Sequence, residues 1–155
     1  MTENTRLGSR STASGTPVQA AAALVGAAFL LVGVLGFIPG ITTDRGSLEA
    51  AGHESHAELL GIFQVSVLHN VVHLLLGVAG IALARRPSSA RAFLVGGGAL
   101  YLVLCAYGVL VDKDSDANFV PLNTADNWLH LVLGIGMIAL GIVLAKRPGA
   151  TAVGR

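Results

Sequence analysis

Four stretches of the chain run apolar without a charge inside them, each bracketed by polar or charged residues. From Val18 to Ile38 there is no charge. As a helix this segment spans about 31 Å, which matches a hydrocarbon core of about 30 Å. Leu59 to Ala84 is likewise free of formal charge and predicts a second helix, stopped by Arg85, Arg86 and Pro87. Its length allows tilt or projection beyond the bilayer. A third helix is expected over Ala92–Val111. A fourth is expected over Asn127–Ala145, ended by Lys146, Arg147 and Pro148, with Trp128 as an interfacial anchor. The reading is an all-α, integral membrane four-helix bundle over residues 17–148.

The remaining segments read as connections. Residues 1–16 carry Ser, Thr and Gly with no apolar periodicity and are expected to be a disordered cytoplasmic tail, and 149–155 a second cytoplasmic tail. Pro39 to Glu58 holds four acids, two histidines and three glycines, a composition that does not predict a compact fold of its own. Asp112 to Asp126 is a second acidic loop. The first apolar run exceeds a signal-peptide core and no small-residue cleavage pattern follows it, so it is expected to be retained as a span.

Charge orients these spans. Arg6, Arg10, Arg85, Arg86, Arg91, Lys146, Arg147 and Arg155 lie on one side, against Arg45 and Lys113 on the other. The positive-inside rule makes the first side, with both termini, cytoplasmic. Eight of the nine acids fall on the opposite side, Glu3 being the exception. The expected location is the cytoplasmic membrane, with multiple passes.

An internal pattern links the second and fourth helices. Asn70–Gly77 reads NVVHLLLG and Asn127–Gly134 reads NWLHLVLG, an N-x-x-H-L-x-L-G motif at an offset of 57 residues. Between 70–83 and 127–140, eight of fourteen residues are identical, the Asn and His being the informative matches. The chain therefore reads as two tandem helical hairpins related by an internal repeat. Their common orientation makes this the parallel kind, with an axis along the membrane normal. Asn, His and Gly at i, i+3 and i+7 share one helical face, and polar groups in hydrocarbon turn toward a bundle interior.

Composition agrees with a membrane solvent. The 155 residues are 53% hydrophobic and 12% charged, with a mean hydropathy of +0.69. A formal charge of +1, with basic residues neither clustered nor interleaved with aromatics, excludes a nucleic-acid partner. The single cysteine, Cys105, sits in an apolar run as a small buried hydrophobe and has no intramolecular disulfide partner.

The pieces LHNVVHLLLG, ARAFLVGGGALYLVL and NFVPLNTADNWLHLVLGIGMIALG resemble a family of small four-helix membrane proteins, known mainly from actinobacteria and described as a domain of unknown function. The resemblance covers helices 2 to 4 well and helix 1 loosely, with Asn-Trp-Leu-His its most specific motif. It implies the four-helix topology and draws attention to Asn70, His73, Asn127 and His130, which match the family's Asn and His positions. It implies no activity.

Two readings of the polar motif stand open. In the first, Asn70, His73, Asn127 and His130 form one structural cluster between helices 2 and 4, each hydrogen bond contributing about 0.6 to 2 kcal/mol. In the second, the cluster binds an ion, proton, small polar ligand or haem. His69 adds an imidazole one turn from His73 and could complete a pair at i, i+4 spacing. Depth argues against simple axial ligation by His73 and His130. They lie 12 and 16 residues from the basic pairs that end their helices, a mismatch of about 6 Å.

In the first acidic loop His53, His56 and Glu58, with Glu49 and Glu54, are of metal-ligating type, but no recognised spacing supports a site. No metal and no cofactor is assigned. Ser66, Cys105 and the tyrosines show no nucleophile and base arrangement. Gly96, Gly97 and Gly98 lie in an apolar helix, where close helix contact explains them better than a phosphate loop. The chain reads as a non-enzymatic accessory or interaction protein, its partners being the lipid bilayer and other membrane proteins or a second copy. The alternative is the small ion, proton, ligand or haem-binding module.

Overall fold

The computed structural model describes residues 15–145. Residues 1–14 of the tail expected over 1–16, the tail expected over 149–155, and the basic pair Lys146 and Arg147 lie outside the described residues. Four helices, α1 (Pro17–Leu35), α2 (Val67–Leu83), α3 (Pro87–Leu110) and α4 (Thr124–Val143), account for most of the described chain. The strands β1 (Thr42–Thr43), β2 (Glu58–Leu59) and β3 (Phe63–Gln64) form a small antiparallel sheet in the order β1-β2-β3. The fold is an all-α membrane bundle. α1, α3 and α4 are each long and apolar enough to cross a membrane, while α2, at 17 residues, is shorter.

Helix boundaries follow local chemistry more closely than charge spacing. Pro17 and Pro87 each open a helix, where a missing N–H costs nothing. Helix α3 therefore begins at Pro87, five residues ahead of the expected Ala92, with only Ala84, Arg85 and Arg86 linking it to α2. α4 begins at Thr124 rather than Asn127, because Asn123 caps it. The Asp126 backbone N–H donates to Asn123 Oδ1 at 3.0 Å and the Asn123 N–H donates to Asp126 Oδ2 at 2.9 Å.

The largest correction concerns the second helix. Residues 59–66 are not helical. Leu60 and Gly61 adopt left-handed backbone conformations, with φ of 57° and 68°, and turn β2 back into β3. Ser66 then caps α2 by accepting the His69 N–H at 3.1 Å. Absence of charge placed this segment in the second helix, but it forms a β-hairpin whose Leu59 and Val65 are buried and whose turn at Leu60–Ile62 is exposed. Ala57, Leu59 and Val65 form a small apolar cluster against Val32 and Leu35 of α1, with Ile41, Leu48 and Phe63. The connection expected to be structureless is thus an ordered cap on one end of the bundle.

α1 packs along α2 and α3 along α4, and the two hairpins meet chiefly through α1 and α3. Both hairpins are closed by glycine. A Cβ on Gly26 would lie 2.9 Å from Gly77 O, and a Cβ on Gly98 would lie 2.7 Å from Gly134 O. Side chains there would force the backbones apart, the usual reason for small residues between membrane helices. The main core joins Val18, Ala22 and Phe29 to Ala90, Phe93, Leu94, Tyr101 and Met137. Large apolar side chains such as Leu24, Leu75, Val103, Val109 and Val132 project outward, a surface suited to lipid.

Candidate functional site

The polar residues of the repeated motif divide between two environments. Asn70 faces α1, its carboxamide against Gly36, and Asn127 faces α3, its carboxamide against Gly108. Asn127 Nδ2 donates to Gly108 O at 2.9 Å. Asn70 is fully buried, and neither its Nδ2 nor its Oδ1 has a hydrogen-bond partner among the described residues. Each asparagine belongs to its own hairpin, and the structure does not bring the two together.

The histidines converge. His69, His73 and His130 line one cavity of about 360 Å³, together with Tyr101 and Asp126 and an otherwise apolar wall. α2 and α4 are not in extensive contact with each other, so the imidazoles meet across this space and across Tyr101. Tyr101 and Phe29 stack face to face at 5.4 Å, and each receives a histidine edge-on. His73 lies 5.6 Å from Phe29, and His130 lies 4.9 Å from Tyr101, between ring centroids.

A hydrogen-bonded chain fixes one of the rings. His73 Nδ1 lies 3.0 Å from His69 O, and a carbonyl oxygen only accepts, so Nδ1 carries the proton. With the ring neutral, Nε2 then accepts from the Tyr101 hydroxyl at 3.2 Å. His69 stacks on His73 with centroids 4.4 Å apart. His130 has no such support. Its ring is 4% exposed, and Nδ1 has no hydrogen-bond partner among the described residues.

Asp126 closes one side of the cavity and fastens its roof. Oδ2 accepts the Gln64 backbone N–H at 3.1 Å, and Asn123 Nδ2 donates to Ile62 O at 2.7 Å. The β2–β3 hairpin is thereby held across the start of α4, with Leu59, Leu60, Phe63 and Val65 lining the cavity beneath it. Leu31, Leu60 and Leu129 also line the cavity and are 58%, 60% and 38% exposed. The mouth therefore opens between α1, the hairpin and α4, on apolar side chains.

The arrangement does not suit a haem held by His73 and His130. Tyr101 stands between them, its hydroxyl on one imidazole and its ring against the other, where the macrocycle would have to lie. No group of three or more His, Cys, Asp or Glu side chains among the described residues is placed to hold a metal. In the outer connection His53 Nε2 meets Glu54 Oε1 at 3.0 Å, His56 is exposed beside Asp44 and Ser47, and Glu58 lies in β2. These loop residues are not assembled into one centre.

The family described as Domain of unknown function (DUF4383) matches residues 19–143. The chain belongs to this family. The match takes in all of α2, α3 and α4 and all but the first two residues of α1, and so the whole cavity wall. No curated protein and no solved structure matches the chain.

Tyr101 and Asp126 are the site residues that motif reading missed in this DUF4383 chain. Asp126 was counted with the acidic loop, although N-T-A-D is a capping pattern. Tyr101 had a signal in the first and third helices. GAAFL from Gly26 aligns with GALYL from Gly98, which pairs Phe29 with Tyr101 and, further along, Gly36 with Gly108.

Proposed function

We propose that this DUF4383 chain is a non-enzymatic binding protein of the cytoplasmic membrane. It holds a small lipophilic molecule in the cavity between its two hairpins, with the molecule's polar end among His130, Tyr101 and His69. The observation that carries this reading is the cavity of about 360 Å³ between the hairpins, in which His69, His73, Tyr101, Asp126 and His130 meet within an otherwise apolar wall. The volume, at the lower end of the range for small-molecule sites, and the apolar mouth support a lipid-soluble ligand.

In this proposal both termini are cytoplasmic, as the basic residues direct, and the sheet cap faces outward. The outward leucines and valines contact lipid, other membrane proteins or a second copy. Matching glycine contacts in the two hairpins support an origin by duplication. The test is extraction of the full-length protein, purified in detergent, with organic solvent, followed by mass spectrometry. A lipophilic small molecule near stoichiometric amount is expected, and Leu133→Trp, which fills the cavity, should reduce it severalfold. Recovery of the same bulk lipids in the same amounts from both proteins would overturn the reading.

A further inference from the structure

Resting on that reading, we propose that the cavity is a blind slot open to lipid, which takes the hydrocarbon chain of a single-chain amphiphile sideways from the leaflet on the side of the sheet cap. In the proposed orientation that is the outer leaflet.

Its height and depth follow from the helices that wall it. Lining residues run from Val25 to Leu35 on α1 and from Asp126 to Met137 on α4. Ten and eleven helical steps of about 1.5 Å give about 15 and 16 Å, half of a hydrocarbon core of about 30 Å. Trp128, 63% exposed, stands beside Leu129 near the upper end of the slot, and exposed tryptophan marks the head-group level. Met137 lies nine residues further in, about 14 Å deeper and close to the bilayer midplane. The slot thus matches one leaflet, with His69 and His130 toward its head-group end.

Both ends of the slot are closed among the described residues, and one side is open. Above, the β2–β3 hairpin covers it with Leu59 and Val65, both buried. Below, Val18, Ala22, Ala90 and Leu94 are packed into the main core, and none of them lines the cavity. α1 and α4 scarcely touch, and the gap between them is flanked by Ala28 and Leu31 on one helix and Leu129 and Leu133 on the other. Ala28, Leu31 and Leu129 are exposed, continuous with the outward Leu24 and Val132 of the same helices. A molecule arriving from water must displace the roof, whereas a chain arriving from lipid meets alanine and leucine alone. About 360 Å³, roughly a dozen water volumes, admits one chain and not the two of a phospholipid.

The probe that tests this is a lysophosphatidylcholine with a diazirine at the end of its chain. It is added to membrane vesicles bearing the full-length protein, right-side-out in one sample and inverted in the other. Light fixes the chain end to the side chains it touches, and mass spectrometry locates the adducts. Two neighbouring pairs give the readout at the depth the chain end reaches. Val25 and Leu133 are half-buried in the slot, while Leu24 and Val132 point outward beside them. Added from the cap side, which a reporter fusion at Leu48 identifies, the probe should mark all four. Added from the opposite side, it should mark Val25 and Leu133 severalfold less. Ala28→Trp, an exposed position at the gap, should lower the adducts on Val25 and Leu133 severalfold and leave those on Leu24 and Val132 unchanged.

Adducts on Leu24 and Val132 alone would overturn the slot as a site for a lipid chain. Slot adducts equal or greater from the opposite side would overturn entry from the cap-side leaflet. In either case a specific molecule recovered by solvent extraction leaves the binding reading standing, and its absence there removes that reading as well. The comparison of the two sides needs no variant, so it holds even where Ala28→Trp impairs folding.

Discussion

Three consecutive glycines in α3 allow the packing of the second hairpin to be measured one position at a time. A Cβ on Gly96 would meet nothing within 4 Å among the described residues. On Gly97 it would meet Met137 Cε at 2.7 Å, the free end of a flexible side chain. On Gly98 it would meet Gly134 O at 2.7 Å and Ile138 N at 3.0 Å, both backbone atoms that cannot rotate away. Alanine at any of the three gains the same helix propensity, about 0.8–1 kcal/mol. Gly96→Ala should therefore stabilise, and Gly97→Ala should be close to neutral after Met137 shifts.

Gly98→Ala must instead part the helices. Opening the closest approach from 2.7 Å to ordinary contact moves α3 and α4 apart by about 0.5–1 Å, which forfeits a quarter to a half of the local dispersion attraction. Overpacking of this kind costs about 1–3 kcal/mol. Because the propensity gain is common to both variants, that figure is also the expected gap between Gly98→Ala and Gly96→Ala. Unfolding free energies in mixed micelles, followed by circular dichroism, measure it directly. A gap below about 0.5 kcal/mol would refute the backbone contact of Gly98 with Gly134 and the hairpin packing built on it.

Asn127→Leu should lower stability by about 0.6–2 kcal/mol through loss of the bond to Gly108, whereas Asn70→Leu, whose carboxamide has no described partner, should be neutral or stabilising. Thermal melts of the two variants side by side check the contrast. Asn123→Ala should cost about 1 kcal/mol as a lost helix cap, and should speed hydrogen exchange at the Asp126 and Gln64 amides as the roof hairpin loosens. Unchanged exchange at Gln64 would count against the latch. Reporter fusions at Leu48, Ser88 and Val120 should report outside, inside and outside, and a cytoplasmic signal at Leu48 or Val120 would reverse the proposed orientation.

The number and order of the helices were legible because charge brackets each apolar run, and bilayer burial tolerates few charges. Their ends were less legible where capping decided them. Residues 59–66 carry no charge and were assigned to α2, yet the Leu60–Gly61 turn and the Ser66 cap end the helical path. Residue type alone drew attention to His69, His73 and His130. That they share a cavity while Asn70 and Asn127 do not depends on helix rotation. At about 100° per residue, His73 turns toward Tyr101 while Asn70, three positions earlier, meets Gly36. An argument from shared spacing alone could not separate two sides of one stripe.

The split of the cavity between hairpins sets an order of assembly. α1 with α2, and α3 with α4, are consecutive helices that pack on each other, so each pair can form as it leaves the ribosome and enters the bilayer. The cavity has no such local origin. Its wall needs Phe29 and His73 from the first pair and Tyr101 and His130 from the second. Its roof is fastened only when Gln64 and Ile62 find Asp126 and Asn123, some sixty residues further along the chain. A nascent chain that has released only α1 and α2 exposes His69 and His73 without the Tyr101 hydroxyl or the α4 wall. Closure of the cavity is therefore a late event, and it reports that both pairs have inserted and docked.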